Sequence, residues 1–178
     1  TDMLTLETQL DLASEVSCDA KANSVFTDEI NALADKIAYS EQNLASSVEI
    51  TELKKQYTLL EVRDFILAKR VAERCHQIPM TIFYFYGTKE SCADCARQVY
   101  VLDALKHKYP NLRVYSFDYN LDLSTIQALR TIYKINGVLP GLVVNGTTFN
   151  GFQGLEALDG ILSRPEGSSS QVQSPKKK

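Results

Sequence analysis

The segment 81–86 constrains the fold more than any other part of the chain. It is a run of β-branched and aromatic residues, Thr-Ile-Phe-Tyr-Phe-Tyr, and it ends at Gly87. Such a run is typical of a buried β-strand. The sequence therefore predicts that a sheet begins near Met80.

Helix and strand patterns alternate after this strand. The predicted helices are 92–108, 122–134 and 153–163, and the second strand is 112–118. Asn145-Gly146 joins two short β-like runs, and this pair favours a type I′ turn and hence a hairpin. A strand–helix–strand unit predicts a right-handed parallel crossover, and the hairpin adds an antiparallel pair. We expect an α/β fold of order βαβαββα, with one four-stranded mixed sheet and helices on both faces.

Two of these helices carry more detailed predictions. The apolar face of the first is predicted to comprise Cys95, Val99, Leu102 and Leu105. Gly137 is predicted to end the second helix, since glycine is common just after a helix.

The sequence pattern of residues 1–77 predicts an all-helical N-terminal region of about three helices. No proline occurs before Pro79, and apolar residues recur at helical spacing. Thr27 or Asp28 is predicted to cap the second helix, and Thr51 the third. The apolar positions expected on the first two helices are Met3, Leu6, Leu10 and Ala13, then Ile30, Leu33, Ile37, Leu44 and Val48.

Composition limits the classes of function. The chain has 178 residues and a formal net charge of −3, so we expect no nucleic-acid partner. No stretch approaches the roughly 18 apolar residues that a membrane-spanning helix needs. The predicted organisation is a helical region at 1–77, an α/β domain at 78–163, and a disordered tail at 164–178 rich in Ser, Gln and Pro.

The four cysteines are the candidate chemical groups. Cys92 and Cys95 form a C-x-x-C pair, which predicts either a redox-active dithiol, a structural disulfide or half of a zinc site. Cys18 and Cys75 are interpreted as a structural disulfide, as buried small side chains, or as a source of a third thiol for Cys92. Zinc is the least favoured reading, and the sequence predicts neither a metal nor another cofactor.

Three local features carry a resemblance to a known family. Tyr84-Phe85-Tyr86-Gly87 precedes Cys92-Ala93-Asp94-Cys95; Tyr133-Lys134-Ile135-Asn136-Gly137-Val138-Leu139-Pro140 leads into a proline; and Gly151-Phe152 precedes the closing helix. Over residues 78–163 the chain resembles the thioredoxin-like superfamily, in its thiol–disulfide oxidoreductase form. The N-terminal helical region carries no resemblance that we recognise.

The resemblance implies a role for each motif residue. Cys92 would be the exposed nucleophile at a helix start, where the helix dipole lowers the pKa of its thiol, and Cys95 the more buried resolving thiol. Pro140 would follow a cis peptide bond beside the sulfurs. The backbone of Leu139 would pair with an extended substrate segment. The implied partners are protein substrates with thiols or disulfides and a redox partner protein.

The chain departs from the family pattern at several positions. Ser91 replaces the usual Trp, Tyr84 falls where thioredoxins have a buried acid, and Gly141 replaces the usual Thr. Asp94 and Glu90 are negative charges near Cys92 that oppose its thiolate. They predict a reduction potential nearer the reducing end, roughly −200 to −270 mV.

Two hypotheses for function follow. The first is a thiol–disulfide oxidoreductase that reduces, forms or exchanges protein disulfides. The second is a redox-inactive thioredoxin-like binding or scaffold module with a structural Cys92–Cys95 disulfide. Burial of Cys92, and whether the helical region covers the motif, should discriminate between them.

The setting is predicted from cysteine usage. Disulfides persist mainly outside the cytosol, so we expect an extracytoplasmic protein. A membrane anchor upstream of Thr1 and a homodimer formed through the helical region stay open at this point.

Overall fold

The computed structural model describes residues 2–15, 18 and 26–164. The predicted disordered tail lies outside the described residues from 165 onward, and so do the side chains of Met3 and Leu6. None of the helices in the described part is long and apolar enough to span a membrane.

Six helices and four strands are found in the described residues. The helices are α1 Asp2–Ala13, α2 Thr27–Gln42, α3 Ser47–Arg74, α4 Cys95–Lys108, α5 Ser124–Ile132 and α6 Leu155–Leu162. The strands are β1 Met80–Tyr86, β2 Leu112–Asp118, β3 Gly141–Val144 and β4 Thr147–Asn150. From β1 onward the order βαβαββα is as predicted.

The four strands form one mixed sheet in the order β2-β1-β3-β4. β1 is parallel to β2 and antiparallel to β3, and β3 is antiparallel to β4. Asn145 and Gly146 both have positive φ, 47° and 85°, as a type I′ turn requires. The predicted four-stranded mixed sheet is therefore confirmed.

Alternate residues of β1 divide the core into two layers. Ile82 and Tyr84 point to one face, here called the cysteine face, which also holds Cys92 and Cys95. The helices on this face are α4 and α6, which contribute Leu102, Leu105, Leu158 and Leu162. Because successive strand residues alternate, the neighbours of Ile82 and Tyr84 along β1 belong to the other layer.

The opposite side of the sheet, here called the phenylalanine face, is built around Phe83 and Phe85 of β1. It is covered by α5 and by one side of α3, from which Phe65 packs edge-to-face on Phe83 at 4.8 Å between ring centroids. The described contacts thus place α3 over the phenylalanine face and not over the two motif cysteines.

α3 also closes the edge of the sheet formed by β2. The buried Glu61 accepts a hydrogen bond through Oε2 from the Ser116 backbone N–H at 2.8 Å. The buried Asp64 accepts through Oδ2 from Tyr115 Oη at 2.6 Å and from Arg113 Nη1 at 2.9 Å. Unpaired backbone at a sheet edge is prone to pair with other chains, and Glu61 satisfies one such N–H group of β2 from within the molecule.

The boundary between α2 and α3 differs from the prediction. α2 follows Phe26, with no side-chain cap from Thr27 or Asp28. α3 begins at Ser47 and not at Thr51, because the Ser46 side chain accepts from the Glu49 backbone N–H at 3.2 Å. The predicted apolar residues Leu44 and Val48 consequently lie in the loop and in the first turn of α3, where they are exposed.

The ends of the later helices also shift. α5 stops at Ile132, and Lys134, with φ of 55°, takes the left-handed position that was predicted for Gly137. On α4 the buried face contains Gln98 where Val99 was predicted, and Val99 is exposed.

Candidate functional site

The C-x-x-C pair lies between β1 and α4. Cys92 Sγ and Cys95 Sγ are joined at 2.01 Å. α4 begins at Cys95, so the prediction that Cys92 starts the helix is wrong. A tight turn holds Cys92 before the helix instead, because its backbone N–H donates to the Thr88 carbonyl at 2.9 Å.

The disulfide nevertheless adjoins the amino end of α4. The first hydrogen bond of the helix runs from the Gln98 N–H to the Asp94 carbonyl at 2.9 Å. The N–H groups before that bond have no acceptor within the helix, and they form the positive end of its dipole. Anions are stabilised at such an end of a helix, and Cys92 lies three residues before the first residue of α4.

Burial of the two cysteines differs from the prediction. Cys92 is 4% exposed and Cys95 is 9% exposed, so Cys92 is not the more exposed of the pair. The reason is the turn after β1, which places both cysteines in the core cluster of the cysteine face. Attack on Cys92 Sγ therefore requires local movement around the motif.

Tyr84 occupies the position where the resemblance expects a buried acid. Its Oη donates to the Cys95 carbonyl oxygen at 3.0 Å, which ties the first residue of α4 to β1. Burial raises the pKa of the Tyr84 hydroxyl to about 12. The group is therefore protonated near neutral pH and does not act as a base there.

The segment of Leu139 and Pro140 lies beside the motif. The peptide bond between them is cis, as predicted, and Pro140 is fully buried. A Cβ atom at Gly87 would lie 2.8 Å from Leu139 Cδ1 and closer still to Ser91 Oγ. Glycine at position 87 thus allows the Leu139 side chain to approach the turn that carries the motif.

The charges around the motif include one that sequence reasoning missed. Asp94 Oδ1 lies 3.3 Å from Arg97 Nη2, and the Arg97 guanidinium stacks on the Phe152 ring at 3.7 Å from its centroid. Glu90 is exposed in the turn. Because Arg97 offsets the charge of Asp94, the predicted opposition to a Cys92 thiolate is weaker than the motif alone indicates. The i, i+3 spacing of Asp94 and Arg97 was the available signal.

Gln98 is the second residue that sequence reasoning missed. It is fully buried on α4, and its side-chain amide bonds both to the N–H and to the carbonyl of Gln153. A glutamine within the apolar stripe of a helix is the sequence signal that a specific partner exists, since buried amides need hydrogen bonds.

The other two cysteines form a second disulfide. Cys18 Sγ and Cys75 Sγ are 2.02 Å apart. Cys75 precedes the amino end of β1 and Cys92 follows its carboxyl end, so a strand of seven residues, roughly 23 Å, stands between the pairs. This placement favours the structural disulfide over a thiol that serves Cys92.

A cavity of about 340 Å³ lies apart from the motif, between α2, α3 and the ends of β1 and β2. Tyr57 and Tyr86 form part of its wall. Lys54 Nζ lies near its rim, 3.6 Å from Glu41 Oε1 and 3.9 Å from Asp118 Oδ2. The helical region and the edge of the sheet therefore form a concave surface together, away from the motif.

Comparisons with known proteins assign neither a family nor a function to the chain. No protein-family model matches the chain. No curated protein matches its sequence. In the part of the chain that the structure describes, no group of three or more His, Cys, Asp or Glu side chains is arranged to hold a metal ion.

Proposed function

We propose that this protein is a thioredoxin-like thiol–disulfide oxidoreductase that uses Cys92 and Cys95. The observation that carries the proposal is the Cys92–Cys95 disulfide at the amino end of α4, just beyond β1. The approach of Leu139 to the same turn supports it. The sheet order β2-β1-β3-β4 supports the assignment of the fold.

The reaction exchanges one disulfide for another. The Cys92 thiolate attacks one sulfur of a substrate disulfide, forms a mixed disulfide, and releases the other substrate sulfur as a thiolate. The Cys95 thiolate then attacks Cys92 Sγ, restores the Cys92–Cys95 bond and releases the second substrate thiol. Two electrons pass from the protein to the substrate, and the reverse sequence oxidises a substrate dithiol.

The residues around the motif set its potential. The amino end of α4 stabilises the Cys92 thiolate, whereas Asp94 and Glu90 oppose it. Arg97 offsets part of the Asp94 charge through the 3.3 Å contact. We propose a potential of roughly −200 to −270 mV, within the range of characterised reducing proteins.

The same proposal gives the setting and the partners. The Cys18–Cys75 disulfide supports an oxidising, extracytoplasmic compartment, because disulfides persist mainly there. The substrates would be proteins with thiols or disulfides, and a redox partner protein would regenerate the active form. A homodimer through the helical region and an upstream anchor stay predictions.

Trapping a mixed disulfide tests the proposal. Cys95→Ser leaves Cys92 without its resolving thiol, so incubation of the reduced variant with glutathione disulfide should yield a stable adduct at Cys92, detected by peptide mass spectrometry and reversed by dithiothreitol. Cys92→Ser is the matched control and should yield much less adduct, because Cys95 is the resolving thiol. Equal labelling of the two variants, or labelling of neither, would contradict the assigned roles.

A second candidate function rests on the burial of Cys92. Cys92 is only 4% exposed, and such burial is expected of a structural disulfide in a redox-inactive binding or scaffold module. In that case the cavity between α2 and α3 would be the binding surface. A Cys92 adduct trapped in the folded protein would support the oxidoreductase. If an adduct forms only in denaturant, the result would support the binding or scaffold module.

A further inference from the structure

Gln98 lies one turn into α4 and joins that helix to the segment between β4 and α6. Its Nε2 donates to the Gln153 carbonyl oxygen at 3.0 Å, and its Oε1 accepts from the Gln153 N–H at 2.9 Å. One side-chain amide thus satisfies both backbone groups of one residue. Because Gln98 is fully buried, any displacement of the segment leaves buried donors and acceptors without these bonds, which is unfavourable.

The segment that Gln98 holds is itself bonded to Pro140. The Gly151 N–H donates to the Pro140 carbonyl oxygen at 2.8 Å. The Gln153 side chain donates through Nε2 to the Gly151 carbonyl oxygen at 3.3 Å. A continuous hydrogen-bonded path therefore runs from α4 through Gln98, Gln153 and Gly151 to Pro140.

A neighbouring residue of α4 makes an independent contact with the same segment. The Arg97 guanidinium stacks on the Phe152 ring, next in sequence to Gln153. Two consecutive residues of α4, both within one turn of Cys95, hold two consecutive residues of the segment. The hydrogen bonds and the stacking contact together fix the distance between the motif helix and the Leu139–Pro140 segment.

We propose that Gln98 is a positioning residue for disulfide exchange with extended peptide substrates. It fixes the Leu139–Pro140 segment against the first turn of α4, so that a substrate strand paired with the Leu139 backbone brings its sulfur in line with Cys92. This inference rests on the oxidoreductase function proposed above. Reactions that need such alignment lose one to two orders of magnitude in rate when the reacting groups are misplaced by about 1 Å.

Two substrates that share a leaving group separate positioning from intrinsic reactivity. One is an extended peptide whose single cysteine is glutathionylated, and the other is glutathione disulfide. In the full-length reduced protein, Gln98→Leu should slow the reaction with the peptide by about tenfold to a hundredfold. Its reaction with glutathione disulfide and its equilibrium with glutathione should each change by less than about twofold, since glutathione disulfide has no extended strand to align. Gln127→Leu, at an exposed position on α5, is the matched control and should change neither rate.

Gln98→Glu provides a second variant of nearly the same shape. The introduced carboxylate accepts from the Gln153 N–H but cannot donate to the Gln153 carbonyl. The ratio of the peptide rate to the glutathione disulfide rate should therefore be low at neutral pH and should recover as the pH falls and the carboxyl protonates. A purely structural role would lower thermal stability without changing this ratio.

The outcomes distinguish the two proposals. If the wild-type protein reacts with neither substrate, the oxidoreductase function fails and this inference fails with it. If the wild-type protein reacts with both substrates, but the Gln98 variants slow both equally or neither, the positioning role alone is overturned. A selective loss with the peptide supports the inference.

Discussion

Beside the buried Asp64 on α3, and away from the motif, lies a second buried acid, Glu61. Its Oε2 accepts from Ser116, while its Oε1 and the Oδ1 of Asp64 have no hydrogen-bond partner in the described structure. Burial raises the pKa of the Glu61 carboxyl well above 4.5; Asp64 adds to this, while the Ser116 hydrogen bond opposes it. A proton on Oε1 would remove the unsatisfied charge at the α3–β2 junction.

This raised pKa predicts a pH-dependent stability. The folded form holds the Glu61 proton more tightly than the unfolded form. The contribution of this protonation to the free energy of unfolding is therefore fully present below pH 4.5 and is lost as pH rises through the folded pKa. Glu61→Gln keeps an acceptor for Ser116 and does not ionise. The free energy of unfolding of this variant, relative to wild type, should therefore increase between pH 4 and pH 8 in urea denaturation.

Glu52→Gln, at an exposed position of α3, is the control for that measurement. It should leave the pH profile of wild type unchanged. A parallel profile for wild type and Glu61→Gln would contradict the raised pKa.

At the scale of elements, the strands were predictable because their signals are local. The apolar run of β1 and the Asn145-Gly146 turn need no tertiary information, and both are found as predicted. The start of α3 was also encoded locally, since Ser46 and Glu49 have the spacing of a capping box. The predicted cap at Thr51 was wrong because Leu44 and Val48 keep the helical spacing of α2 although α2 ends at Gln42.

The Ser46 cap gives a prediction for this element. Ser46→Ala removes the acceptor for the Glu49 N–H and should lower the free energy of unfolding by about 1 kcal/mol. Equilibrium urea denaturation measures the change. Ser47→Ala, one position into α3, leaves the cap intact and should have a smaller effect; equal losses in the two variants would contradict the assignment of the cap.

The arrangement of the site was only partly predictable, because much of it depends on contacts between distant residues. Spacing alone identified the Cys92–Cys95 pair. It did not reveal the burial of Cys92, which follows from a turn packed against the cysteine face, or the pairing of Gln98 with Gln153, 55 residues away. Leu139 was placed by resemblance, and its contact with the turn at Gly87 became visible only in the folded chain.

At the scale of the whole molecule, the helical region stabilises the sheet from the side away from the motif. Phe65 packs on the phenylalanine face, and Cys75 at the end of α3 is bonded to Cys18. In the described contacts, the candidate dithiol is surrounded by β1, α4, α6 and Leu139. This separation predicts that stability and redox chemistry can be changed independently.

Removing the Cys18–Cys75 bond tests that separation. The bond joins residues 57 positions apart, so the double variant Cys18→Ser/Cys75→Ser should lose on the order of 4 kcal/mol of stability from loop-closure entropy. Denaturant unfolding measures the loss. The potential of Cys92–Cys95 should stay within experimental error of wild type, and a large shift would contradict the separation.

The most direct test of the central claim is a glutathione redox titration of the native protein, with alkylation and mass spectrometry to resolve the two cysteine pairs. The account predicts that Cys92–Cys95 titrates reversibly between about −150 and −280 mV while Cys18–Cys75 stays oxidised. Resistance of Cys92–Cys95 to reduction below about −300 mV, or reaction only in denaturant, would contradict the oxidoreductase and leave the pair as a structural disulfide.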